Sequence, residues 1–198
     1  ACSTVGTAAE SAVMSARARR VVFGLGSNLG DREATLRCGV DGLRCLAGVE
    51  RWALSSLYET LPVGGPPQGR YLNAAALVIT NLSPQALLQG ALRIEAQHGR
   101  VRLERFGPRT LDIDVLWIEG ERVETSSLVV PHPRLTERGF ALVPLLEVAP
   151  DARDPGTGEP LAMSMVGVDL GGVVRVKPRG AWGGDARGAL LDTQRPQC

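Results

Sequence analysis

Aromatic side chains are scarce in this chain, with three Phe, three Trp and two Tyr among 198 residues. Histidine is scarcer still, at two, and the four cysteines include no Cys-x-x-Cys pair. Both shortages argue against a structural zinc site, which needs four closely spaced thiolate or imidazole ligands. No apolar run approaches the ~20 residues of a membrane-spanning helix, so no membrane association is expected. Net charge is almost absent too: 22 basic against 21 acidic residues leave +1, which excludes a partner recognised through bulk charge. Lys177 is the sole lysine, and every other basic side chain is arginine. Codon bias is the plain explanation for most of that excess. An arginine fork for phosphate has to be argued position by position.

What remains is an ordinary globular composition. With 44% hydrophobic and 22% charged residues, a chain of this length buries a core without disulfides or a metal. Cys38 and Cys45 lie seven apart in a helical stretch, about 10 Å along the axis and too far to bridge. Reduced cysteines in a cytoplasmic protein are therefore expected. Residues 1–20, ending Arg17-Ala-Arg19-Arg20, lack the apolar centre of a signal peptide and read as a flexible segment. Residues 21–176 read as the domain, and 177–198 as a disordered tail.

Along the domain, Val21–Leu25 reads as a strand running into Gly26-Ser-Asn-Leu-Gly30. Leu36, Val40, Leu43 and Leu46 then make a helical stripe, begun by a cap at Asn28 or Asp31. In 51–59, Trp52, Leu54, Ser56 and Tyr58 alternate onto one face of a single strand. Residues 61–70, with three Pro and three Gly, form a loop. A strand over 71–80, a helix from Ser83-Pro84 to about His98, a charged loop over 99–109 and a strand over 110–118 follow. Strand, helix, strand, strand, helix, strand is the βαββαβ order of an α+β, ferredoxin-like domain, with an antiparallel sheet and both helices on one face. Extra strand or helix elements are expected at 123–130, 139–148 and 173–176. Gly24-x-Gly26-x-x-x-Gly30 departs from the dinucleotide spacing GxGxxG, and no parallel sheet follows it.

The strand Thr110–Trp117 carries the strongest chemical signal. Alternation sends Leu111, Ile113, Val115 and Trp117 to a core, and Asp112 and Asp114 to the other side, with Cα atoms about 7 Å apart. Two carboxylates so placed repel unless a cation joins them, and hard-oxygen donors suit magnesium when phosphates complete its shell. A solvated face bridged by neighbouring arginines is the other reading. Residues 93–109 hold five arginines (Arg93, Arg100, Arg102, Arg105 and Arg109) against Glu95 and Glu104. That local surplus exceeds the charge of the whole chain. Guanidinium groups beside a metal-binding carboxylate pair fit phosphoryl transfer. A basic loop that touches RNA is the alternative, although ferredoxin-like RNA readers stack bases on sheet aromatics and no such cluster is present. Tyr71 and Asn73 share a strand face and suit a planar heterocycle, or simply a core. His132, Arg134, Arg138 and Phe140 follow the sheet.

Together these stretches resemble the 6-hydroxymethyl-7,8-dihydropterin pyrophosphokinases of folate biosynthesis. The matching runs are GLGSNLGDR from Gly24, SSLYETLPVGG from Ser55, YLNAA from Tyr71 and RIEAQHGRVR from Arg93. ERFGPRTLDIDVL from Glu104 and VPHPRLTERGFALVPLLEVAP from Val130 complete them. The resemblance implies a ferredoxin-like fold and transfer of the β,γ-pyrophosphoryl group of ATP to the pterin hydroxymethyl oxygen, with AMP released. It implies two Mg2+ ions on Asp112 and Asp114, and Arg100 and Arg109 as catalytic groups flanking the triphosphate. Pterin is implied to bind Tyr71, Phe140, Asn73, Thr60 and Val63. ATP is implied to bind Glu95, Arg102, Arg105, Arg109, His132 and Arg138. The small-molecule substrates are the implied partners, with no nucleic acid, a monomer expected and a dimer the alternative. Loops 61–70 and 99–109 are expected to close on nucleotide. Three departures are visible. Phe106 stands where some relatives have Trp, the arginine loop is one residue shorter than in some, and Pro133 follows His132 where others place a tyrosine.

Overall fold

The computed structural model describes residues 14–99, 107–170, 172–183 and 191–192. In chain order these form β1 (Met14–Ser27), α1 (Arg32–Arg44), β2 (Val49–Leu54), β3 (Leu57–Thr60), β4 (Tyr71–Leu82) and α2 (Pro84–Gln97). There follow β5 (Asp112–Ile118), β6 (Val123–Glu124), β7 (Val129–Val130), α3 (Gly139–Val148), β8 (Val174–Lys177) and β9 (Leu191–Asp192). The main sheet runs β5-β1-β4-β2-β9, with β3 pairing β4 and β8, and every pair is antiparallel. This is the expected α+β, ferredoxin-like arrangement with C-terminal additions. No helix among the described residues is long and apolar enough to cross a membrane.

Local chemistry sets the helix ends. Asp31 accepts the Ala34 N–H and Ser83 accepts the Ala86 N–H, satisfying donors that a first helical turn leaves open. Of the two candidate caps for α1, the structure uses Asp31. One face of the sheet packs on α1 and α2 through Phe23, Leu36, Leu43, Leu87 and Ile113. The opposite face packs on α3 through Val22, Leu77, Trp117, Leu142 and Leu145. α1 and α2 therefore share one face, as expected, and α3, which follows β5, covers the other.

Four expectations are corrected. First, the single strand over 51–59 breaks at Ser55-Ser56. The Ser55 hydroxyl accepts the Ala75 N–H at 2.8 Å and the Ser56 N–H donates to Glu147 at 2.8 Å, so serine and carboxylate oxygens replace ladder carbonyls. Trp52 and Leu54 then face α1 and α2, whereas Ser56 and Tyr58 donate to Glu147 of α3. Second, Trp117 lies on the α3 face. The β1–β5 register jumps from Val22↔Trp117 to Phe23↔Val115, and this bulge at Leu116 reverses the alternation. Third, the segments at both ends of the domain are partly structured: β1 begins at Met14. Trp182 is buried, its indole N–H donating to Ser55 O at 2.9 Å. Fourth, Cys45 is disulfide-bonded, against the expectation of reduced cysteines. Cys38 is free, so the partner of Cys45 lies outside the described residues.

Candidate active site

Cross-strand partners in an antiparallel sheet share a face, so register alone assembles a site. Tyr58 pairs Asn73, Asn73 pairs Gly26, and Gly26 pairs Asp112. One step along, Ala75 pairs Gly24 and Gly24 pairs Asp114. Beyond that, Ala53, Leu77, Val22 and Trp117 form an apolar row that α3 covers. Asn73, Gly26 and Asp112 of the first row and Gly24 and Asp114 of the second line an open cavity of about 1060 Å³, to which α3 adds Phe140 and Ala141. Gly26 is needed there. A Cβ at that position would stand 3.1 Å from Asn73 Oδ1 and 3.9 Å from Asp112 Cβ.

One wall is shaped for a flat polar ring. Asn73, nearly buried, donates its amide to Thr60 Oγ1 at 2.7 Å, which turns Oδ1 over Gly26 as an acceptor. Tyr71, Val63 and Phe140 also line the cavity. The Tyr71 hydroxyl donates to Gln68 Oε1 at 3.2 Å and to Gly107 O at 3.4 Å. The Arg138 guanidinium carbon sits 5.6 Å from the centre of the Phe140 ring.

The other wall is ionic. Arg109 pairs with Asp112; Asp114, His132, Arg134 and Arg138 complete it. Burial, then the charge of Arg134, pushes the Arg138 guanidinium below its ordinary range, while Asp114 and Asp112 oppose the shift. Arg138 Nε is buried and meets no acceptor among the described residues, the condition of a donor awaiting an anion. Burial, then the Arg138 charge, pushes the His132 imidazole below its ordinary range, against the pull of Asp112. Its Nδ1 accepts the Arg134 N–H at 3.2 Å, leaving Nε2–H as its donor.

A flat-ring wall facing an arginine and carboxylate wall is the arrangement of a phosphoryl transferase with a heterocyclic acceptor. The family model for 7,8-dihydro-6-hydroxymethylpterin-pyrophosphokinase matches residues 22–150. The chain belongs to this family. Among relatives named 2-amino-4-hydroxy-6-hydroxymethyldihydropteridine pyrophosphokinase, that of Methylorubrum extorquens is 44% identical over 158 residues, covering 80% of this chain and 99% of the relative. The Bacillus subtilis protein is 46% identical over 133 residues, covering 67% and 80%. Among solved structures, a Plasmodium falciparum HPPK-DHPS with pteroate aligns with a TM-score of 0.56 at 14% identity. That alignment covers 75% of this chain and 43% of the other, so this chain spans less than half of the Plasmodium one, and the likeness concerns fold.

Ten of the fourteen expected site residues line the cavity: Thr60, Val63, Tyr71, Asn73, Arg109, Asp112, Asp114, His132, Arg138 and Phe140. Arg100, Arg102 and Arg105 lie outside the described residues, as does Phe106. Glu95 is buried away from the cavity wall and accepts the Ile113 N–H at 2.7 Å. It therefore holds the strand between the two aspartates, where an ATP contact was expected. Sequence reading missed Gln68 and gave no role to Arg134, although both line the cavity. Arg134 lay inside the PHPR run, and Gln68 is the one amide in a loop otherwise built of Pro, Gly, two aliphatics and Arg70.

Proposed function

We propose that this cavity is where the chain, a pyrophosphokinase of folate biosynthesis, brings its two substrates together. The observation that carries the reading is the row Asn73–Gly26–Asp112. It sets a heterocycle acceptor and an ion-binding carboxylate on either side of a residue with no side chain. In this reading the ring of 6-hydroxymethyl-7,8-dihydropterin lies against Tyr71 and Phe140, with its polar edge on Asn73 Oδ1 and on the groups around Thr60 and Val63. The triphosphate of ATP lies against Arg109, Arg138 and the His132 Nε2–H, and Arg100, Arg102 and Arg105 are its further expected contacts. The hydroxymethyl oxygen attacks the β-phosphorus, the α–β bridging P–O bond breaks, and AMP departs with the electron pair. The attacking hydroxyl gives up its proton to solvent.

The donor set fits magnesium. Asp112 and Asp114 are hard-oxygen ligands on alternate residues of one strand, and among the described residues no third His, Cys, Asp or Glu completes a cage. Phosphate and water oxygens then supply the rest of the shell, the usual way magnesium is held beside nucleotides. Bound there, two Mg2+ ions neutralise phosphate charge and lower the pKa of the attacking alcohol. The protein's own task is positional: Arg109 and Arg138 fix the phosphates and Asn73 fixes the pterin, so the reacting atoms meet without a search.

The test is the nucleotide product. Protein incubated with ATP, magnesium and 6-hydroxymethyl-7,8-dihydropterin is expected to release AMP in step with pterin pyrophosphate. Release of ADP, or no pterin-dependent AMP, would sink the assignment.

A further inference from the structure

Asn28 stands between the two walls, and the reaction as described gives it no part. It is 8% exposed, in the turn that follows β1. It is not the cap of α1, since Asp31 is, and the turn's positive φ is taken by Gly30. Its backbone N–H donates to Arg109 O at 3.1 Å, and its Oδ1 accepts the Arg109 N–H at 2.8 Å. A backbone N–H only donates, so this contact fixes the amide orientation. Nδ2 is thereby turned the other way, where it donates to Gln68 Oε1 at 2.9 Å and Gly69 O at 3.3 Å.

Each end of this bridge reaches a wall. Gln68 Oε1 also accepts the Tyr71 hydroxyl, and the Arg109 guanidinium pairs with Asp112. A continuous polar path runs Tyr71–Gln68–Asn28–Arg109–Asp112, from the ring wall to the ionic wall, with one side-chain amide at its centre. We infer that Asn28 is a positioning residue that couples the two substrate sites: ordering of Arg109 by nucleotide is passed through the Asn28 amide to the 68–71 segment that receives pterin, and the reverse. An alanine keeps the Arg109 carbonyl contact but severs every side-chain link. Coupling of this kind is a free energy shared by two sites and is reciprocal.

The inference rests on the substrate assignment above, and the test separates the two. Pterin affinity is measured by calorimetric titration with and without magnesium and α,β-methylene-ATP. In the wild type the nucleotide analogue is expected to tighten pterin binding about tenfold or more, within the usual range for coupled sites. Asn28→Ala is expected to bring that ratio below about threefold while each ligand alone keeps its affinity within about threefold. Gln68→Ala cuts the same path from a partly exposed loop position and is expected to lower the ratio likewise, so it decides the matter should Asn28→Ala fail to fold. A wild-type ratio of one overturns the inference, as does a variant ratio equal to the wild type's. Equal weakening of both ligands with the ratio preserved also overturns it, because that is the mark of a merely structural residue. If neither ligand binds the wild type, the substrate assignment fails instead.

Discussion

Two neighbouring rows of one sheet face carry opposite chemistry. The row Asn73–Gly26–Asp112 is polar and open, and the row Leu77–Val22–Trp117 is apolar and covered by α3. Both use the same three strands, and three features set them apart. The bulge at Leu116 lies between them on β5, a glycine sits at the middle of the open row, where a Cβ would press on Asn73, and α3 packs over the covered row. The same strands thus serve as scaffold at one end and site at the other, with the rigidity of the first lent to the second.

Substitutions along these rows sharpen the comparison, beginning with the largest effect. Asp114→Asn leaves volume unchanged and removes a carboxylate from the open end. AMP formation at saturating substrates should fall about a thousandfold, ~4 kcal/mol of transition-state stabilisation, with thermal midpoint little altered. An activity within tenfold of wild type would refute the magnesium role of that strand. Trp117→Ala acts at the covered end and should do the reverse. It removes a buried indole whose N–H donates to Arg153 O at 2.7 Å, so unfolding stability in urea should drop by about 3–5 kcal/mol. Turnover of the folded fraction at low temperature should stay within about threefold, because no cavity residue is changed. If turnover instead collapses, the two rows are not separable. Gly26→Ala is the mildest. Its new methyl group crowds Asn73 Oδ1, so the KM for pterin should rise about tenfold, the equivalent of one displaced hydrogen bond, while the KM for ATP and the thermal midpoint hold. A matching rise in both KM values would mean that Gly26 serves the whole cavity and not the pterin wall.

How much of this was legible in the residues depends on whether the information was local. The strand and helix order, the Asp112 and Asp114 face and the start of α2 at Ser83-Pro84 all follow from spacing within a few residues, and the structure agrees with them. The break at Ser55-Ser56 was hidden, because the oxygens that replace the ladder there come from Ser55 itself and from Glu147, 91 residues away. The crossing of Trp117 was hidden for a related reason: a bulge is a property of two strands together, and alternation read from β5 alone cannot show it. Trp182 sat in a glycine-rich stretch that looked like tail, yet one buried indole and its bond to Ser55 O fix that stretch to the core. In the site, residue types with obvious chemistry were found. Gln68 and Asn28 were not, because their value lies in which loops they join.

The bulge at Leu116 also governs what kinds of change β5 can absorb. Substitutions keep the strand in phase, so Asp112 and Asp114 stay on the open face whatever replaces the side chains near Leu116. Loss of one residue there would restore plain alternation without moving either group to the other face, since Trp117 would then stand two places after Asp114 and keep the aspartates' side. The strand therefore has a reading frame of its own, set by one unpaired residue: only pairing every residue from Asp114 to Trp117 without the bulge would turn Trp117 to the α1 and α2 side.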